Sequence, residues 1–146
     1  MNPKLDYIFS RRSIRKYQDR KIPDDMINDL LEAAMAAPSA VAKDPWHFIV
    51  VKSRETLDTI AATLPNTKML SQAPAAFIVC GDINKAHIQA ESYMLQDLSA
   101  AVENILISAN ILSSSSVVIF SLVSSSTTKR SKKVLSKSIL RNPSRS

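Results

Sequence analysis

Apolar residues return at three- and four-residue spacing at Met26, Ile27, Leu30, Leu31, Ala34 and Met35, the stripe of an amphipathic helix. Pro23 stands where such a helix begins, Asp24 and Asp25 favour its first turn through the helix dipole, and Pro38 closes it. A shorter helix is predicted over 3–9, with Leu5, Ile8 and Phe9 on one face. Residues 46–52 (WHFIVVK) are β-branched and aromatic, the composition of a strand. Ser53 then reads as the N-cap of a helix over 54–64, ended by Pro65. A second strand is predicted at 75–80 (AAFIVC), bounded by Pro74 and by Gly81-Asp82. Its unbroken apolar run implies burial on both faces, so helices should cover the sheet. The last regular segment, 92–112, is a long helix with Met94, Leu95, Leu98, Ala101, Val102, Ile105, Leu106 and Ala109 as its stripe. Leu95, Ile105 and Ile111 widen that stripe enough for a second partner surface, such as another subunit.

After Leu112 the pattern stops. Thirteen of the residues 113–146 are serine, and none is acidic or glycine. Residues 117–123 could form a strand and 129–140 a weak basic helix. The chain therefore divides into a patterned part, 1–112, and a Ser-rich basic tail, 113–146. This division also explains the net charge of +6. The tail carries seven Lys/Arg, leaving twelve against thirteen Asp/Glu in 1–112, a balance of −1. The basic balance belongs to the tail, so it gives no reason to expect specific nucleic-acid binding by the patterned part.

Composition removes several classes of function. The 146 residues include one glycine, Gly81, where average usage of roughly 7% would give about ten. Neither a Gly-x-Gly-x-x-Gly dinucleotide loop nor a P-loop can be built without several glycines to let backbone approach phosphate. One cysteine, Cys80, excludes a disulfide framework and a cysteine-based zinc site. No metal site is expected. No apolar run reaches the roughly 18 residues of a membrane span and no signal-peptide core is present, so a cytoplasmic location is expected.

Two segments carry candidate chemistry. Arg11-Arg12-Ser13-Ile14-Arg15 packs three guanidiniums and a hydroxyl into five residues. In an extended segment Arg11, Ser13 and Arg15 project to one side and can converge on one phosphate through charge-assisted bonds. The run reads equally well as a solvated basic stretch beside a helix end. The second segment, 36–48 (AAPSAVAKDPWHF), joins a helix to a strand, a common place for a ligand crevice. Its small residues would let a flat ring lie close to backbone; taken alone, it is also what an ordinary stiff connection anchored by Trp46 looks like.

In this order and spacing the segments resemble the nitroreductase family of flavin-dependent oxidoreductases. The resemblance runs through RRSIR, Ile22-Pro23, AAPSA, PWHFIVV, APAAFIVC and DLSAAVENIL, and covers about three-quarters of the chain, roughly 5–112. It implies an α+β fold, a nitroreductase-like sheet covered by helices, that forms a homodimer and holds FMN at the subunit interface. It further implies that Arg11, Arg12, Ser13 and Arg15 contact the FMN phosphate and ribityl chain. Pro38, Ser39 and Ala40 would supply backbone beside the isoalloxazine ring, and the helix carrying Asp97 and Asn104 would pack the dimer. The expected activity is reduction of a nitroaromatic, quinone or related small acceptor by NAD(P)H in a ping-pong sequence. The chemistry would rest with the cofactor, so no residue is expected to act as a catalytic acid. His47 and His87 are accordingly expected to be structural or surface residues, and Cys80 a small buried apolar side chain.

The chain departs from the family in two places. Ala42 and Asp44 stand where many relatives carry Asn and Gln, which removes an amide donor to the flavin. The Gly-Leu-Gly-x-x-Trp stretch expected after the long helix is replaced by Ser113–Ser116, so the C-terminal strands are expected to be missing or replaced. The abrupt change of composition suggests an out-of-frame continuation from 113 onward, which translation of the other two frames would test. The competing expectation is a non-catalytic remnant whose basic tail binds anionic partners.

Overall fold

The computed structural model describes residues 2–14, 16–17 and 20–112, and the backbone of 117–122. A single 3-10 turn, Pro3–Leu5, opens into the short helix α1, Asp6–Phe9. Next come α2 (Asp24–Met35), β1 (Trp46–Val51), α3 (Arg54–Thr63), β2 (Ala75–Gly81), α4 (Glu91–Ile111) and β3 (Val117–Leu122). Helix and strand limits fall within one or two residues of those read from the hydrophobic pattern, because prolines, Ser53 and Gly81 punctuate it. Ser53 caps α3 as expected, its hydroxyl accepting the Thr56 amide. The helix expected over 129–140 lies outside the described residues.

The sheet has the order β1-β2-β3. β1 pairs antiparallel with β2, Trp46 opposite Gly81 and Val51 opposite Ala76. β3 pairs parallel with β2, Ala75 opposite Val117. A parallel pair needs a crossover, which α4 supplies. A strand thus follows the long helix at Val117–Leu122, within the segment 117–123 whose composition allows one.

β2 is buried on both faces, as its composition predicts. Ala75, Phe77 and Val79 point into one hydrophobic layer with Leu30 and Ala34 of α2 and Met94, Leu98, Ala101 and Ile105 of α4. Ala76 and Ile78 point into the other, with Leu57 and Ile60 of α3, Leu70 and Ala73. Ile105 is fully buried there, so it belongs to the inner stripe of α4; Leu95 and Ile111 are exposed. Each large side chain sealed in these layers contributes about 1.5–3 kcal/mol relative to exposure. No helix among the described residues is long and apolar enough to cross a membrane.

Candidate functional site

The loop from α2 to β1 holds the densest set of unusual features. Val41, Ala42 and Asp44 all have positive φ, at 54°, 51° and 45°. Left-handed backbone costs an L-residue about 1–2 kcal/mol each, and a β-branched residue such as Val41 is an outlier there. The conformation is held by a local network. The Ser39 hydroxyl donates to Asp44 Oδ1 at 2.6 Å and accepts the Asp44 amide at 3.0 Å. The Ala42 amide donates to the Ser39 carbonyl. From outside the loop, Asp97 Oδ1 on α4 accepts the Ala40 amide at 2.9 Å. Pro45 is buried, and its carbonyl accepts the Asp82 amide at 2.7 Å, pinning the loop to the residue after β2. Pro38 and Val41 remain exposed and Ser39 and Ala40 half-buried, so the small-residue turn presents backbone at the surface.

The arginine run lies elsewhere on α4. Arg11 is half-buried and pairs through Nε with Glu103 at 3.3 Å. Its terminal nitrogens have no partner among the described residues. Arg12 donates from Nη1 to the carbonyls of Phe9 and Arg11, and Ser13 is exposed. Arg15 lies outside the described residues. Asn110 donates to the Ser10 hydroxyl at 2.9 Å, fastening the end of α1 to α4. Among the described residues no hydrogen bond or ion pair links the two candidate segments. Each is tied to α4, at Asp97 and at Glu103, six residues or about 9 Å apart along the axis.

Pro38, Ser39 and Ala40 thus share one stiff turn, whereas Arg11 is directed to Glu103 and Arg12 back onto the Phe9 and Arg11 carbonyls. Asp97 and Asn104 both act inside the chain: Asn104 donates to the Ala33 carbonyl of α2 at 2.9 Å. His47 is exposed, and His87 stacks edge-on against Tyr93 with ring centroids 5.0 Å apart. Cys80 is half-buried, and burial raises its thiol pKa above the ordinary value.

The anchoring role of Asp97 escaped the sequence reading. The signal was a carboxylate three residues after Met94 and four before Ala101, within the apolar stripe. The positive φ values had no signal, because no glycine marks them.

Residues 8–64 match the Nitroreductase family. A Methanothermobacter thermautotrophicus protein named "Putative NADH dehydrogenase/NAD(P)H nitroreductase" is 48% identical over 108 residues, covering 74% of this chain and 56% of its own. A protein of the same name from Archaeoglobus fulgidus is 46% identical over 113 residues, covering 77% and 64%. The chain therefore spans between half and two-thirds of the length of these relatives. Among solved structures, a "putative nitroreductase in complex with fmn" from Desulfovibrio desulfuricans superposes with a TM-score of 0.70 at 32% identity, covering 77% of this chain and 64% of that one. The RRSIR and AAPSA segments fall inside the family match, and over about three-quarters of its length the chain is similar to proteins named as nitroreductases.

Proposed function

We propose that this chain is the larger part of an FMN-dependent oxidoreductase that uses NAD(P)H to reduce a nitroaromatic, quinone or related small acceptor. The observation that carries the reading is the α2–β1 turn. It is small, partly exposed and held in left-handed backbone at Val41, Ala42 and Asp44, a form that suits a surface kept flat beside a planar ring. The donor chemistry agrees with this. Guanidinium groups at Arg11 and Arg12 and the Ser13 hydroxyl suit a phosphate monoester, which accepts forked, charge-assisted bonds. The names of the relatives, with NAD(P)H and FMN in them, support the same reading.

When bound, FMN would supply the redox chemistry, hydride-equivalent transfer between NAD(P)H and the acceptor. The protein's part is to bind and orient. Arg11, Arg12, Ser13 and Arg15 grip the phosphate end. Pro38, Ser39 and Ala40 hold a stiff backbone edge against the ring, so that orientation costs little on binding. No side chain of this set needs to move a proton.

Among the described residues no hydrogen bond or ion pair joins the arginine run to the turn, which fits a homodimer in which each site draws on both copies. Exposed apolar residues support it. Leu5 of the opening 3-10 turn, Ile8 and Phe9 of α1, and Leu95 and Ile111 of α4 stay between 38% and 55% exposed. Such clusters on a protein surface mark interaction sites.

The test is direct. Purified protein incubated with FMN and passed through a desalting column should stay yellow, and NADH or NADPH should bleach its flavin absorbance. A colourless protein that takes up no FMN overturns the assignment.

A further inference from the structure

Asp97 is 5% exposed, sits on the inner stripe of α4 and makes one hydrogen bond, from the Ala40 amide. Its second oxygen, Oδ2, is buried with no hydrogen-bond partner. Among the described residues no cation pairs with it. As a contribution to the core this is a poor arrangement. A buried carboxylate with a bare oxygen is worse for stability than an apolar side chain of similar size. Its neighbours on the stripe, Met94, Leu98, Ala101 and Ile105, show what packing alone would select.

The bond it does make lands one residue before the left-handed pair Val41 and Ala42. The hydrogen bonds among residues 39–44 are internal to the turn, Ser39 with Asp44 and Ala42 with Ser39. An internal network fixes the shape of a loop and leaves its placement free. Besides packing, two external hydrogen bonds set its placement, Pro45 to Asp82 at the strand end and Ala40 to Asp97 at the helix end. Of these, the Ala40 bond alone uses a side chain.

We infer that Asp97 is a positioning residue: its carboxylate fixes where the Pro38–Ala40 backbone stands relative to the sheet, and so sets the edge against which the flavin ring lies. The inference rests on the proposed function for its second half only, since loop placement can be read without any flavin.

Two variants test it. In the ligand-free protein, hydrogen exchange followed residue by residue should show the Ala40 amide protected. Asp97→Ala should speed its exchange by about tenfold or more, the loss of one charge-assisted bond, while the amides of Ile105 and Phe77 keep their rates. Asp97→Asn retains a side-chain carbonyl and should keep Ala40 protected. Titration with FMN, read by flavin fluorescence, should then show affinity falling by about tenfold in Asp97→Ala and recovering in Asp97→Asn. Equal Ala40 exchange in wild type and Asp97→Ala overturns the positioning role. Loosened exchange with unchanged FMN affinity overturns its link to the flavin. If the wild-type protein takes up no FMN, the functional reading falls, and the exchange experiment still decides whether Asp97 places the turn.

Discussion

Met94 lies so close to Gly81 that a Cβ on the glycine would stand 2.5 Å from the Met94 sulfur, and 2.9 Å from Leu98 Cδ1. The chain's one glycine therefore serves close approach of α4 to the end of β2; its φ is not positive. Both neighbours are fully buried and have little room to yield. Gly81→Ala should cost about 1–3 kcal/mol, the range for overpacking, visible as a lower midpoint in urea unfolding. An unchanged midpoint would mean that α4 slides off the sheet without penalty.

Thr67 is fully buried and gathers the C-terminal end of α3. Its hydroxyl lies 2.6 Å from the Leu64 carbonyl, 3.1 Å from that of Ile60 and 3.3 Å from that of Ala61. Thr67→Val keeps the shape and removes the donor. The stranded carbonyls should lower stability by about 1–3 kcal/mol, whereas Thr67→Ser should recover most of it in the same thermal-melt comparison.

Burial raises the pKa of the Cys80 thiol. The folded state therefore holds its proton more tightly than the unfolded chain does. That contribution to stability is present in full below the unfolded thiol pKa and declines as pH rises through the folded one. Cys80→Ala should flatten this alkaline loss in melting curves, and labelling of the native thiol by a maleimide should be slow at neutral pH.

The phosphate assignment is tested most simply at Arg15. Arg15→Ala should weaken FMN binding by about 1.5–3 kcal/mol, the range for hydrogen bonds to charged groups. Isothermal titration showing equal affinity in the two proteins removes Arg15 from the phosphate contacts.

The scaffold was legible because each element carries its own punctuation. Pro23 and Pro38 bracket α2, Ser53 caps α3, and an apolar run without alternation marks β2 as the strand covered on both sides. The turn that matters most for function was legible in composition and not in shape. Pro38, Ser39 and Ala40 stood out as small and stiff. Left-handed backbone at Val41 and Ala42 contradicts local preference; bonds among Ser39, Ala42 and Asp44 hold that shape, and the turn's placement needs a long-range contact. That contact comes from Asp97, 57 residues from Ala40, a distance no local pattern spans. The arginine run was visible as charge, while its attachment to Glu103 depends on how α1 docks against α4.

Phe77 and Ile78 are adjacent in sequence yet face opposite hydrophobic layers. Since one strand walls both compartments, losing either would strip solvent cover from half of that strand's side chains. Stability is therefore shared: α3 cannot detach as a separate melting unit while α2 and α4 stay packed, and this part of the molecule should unfold in one cooperative step.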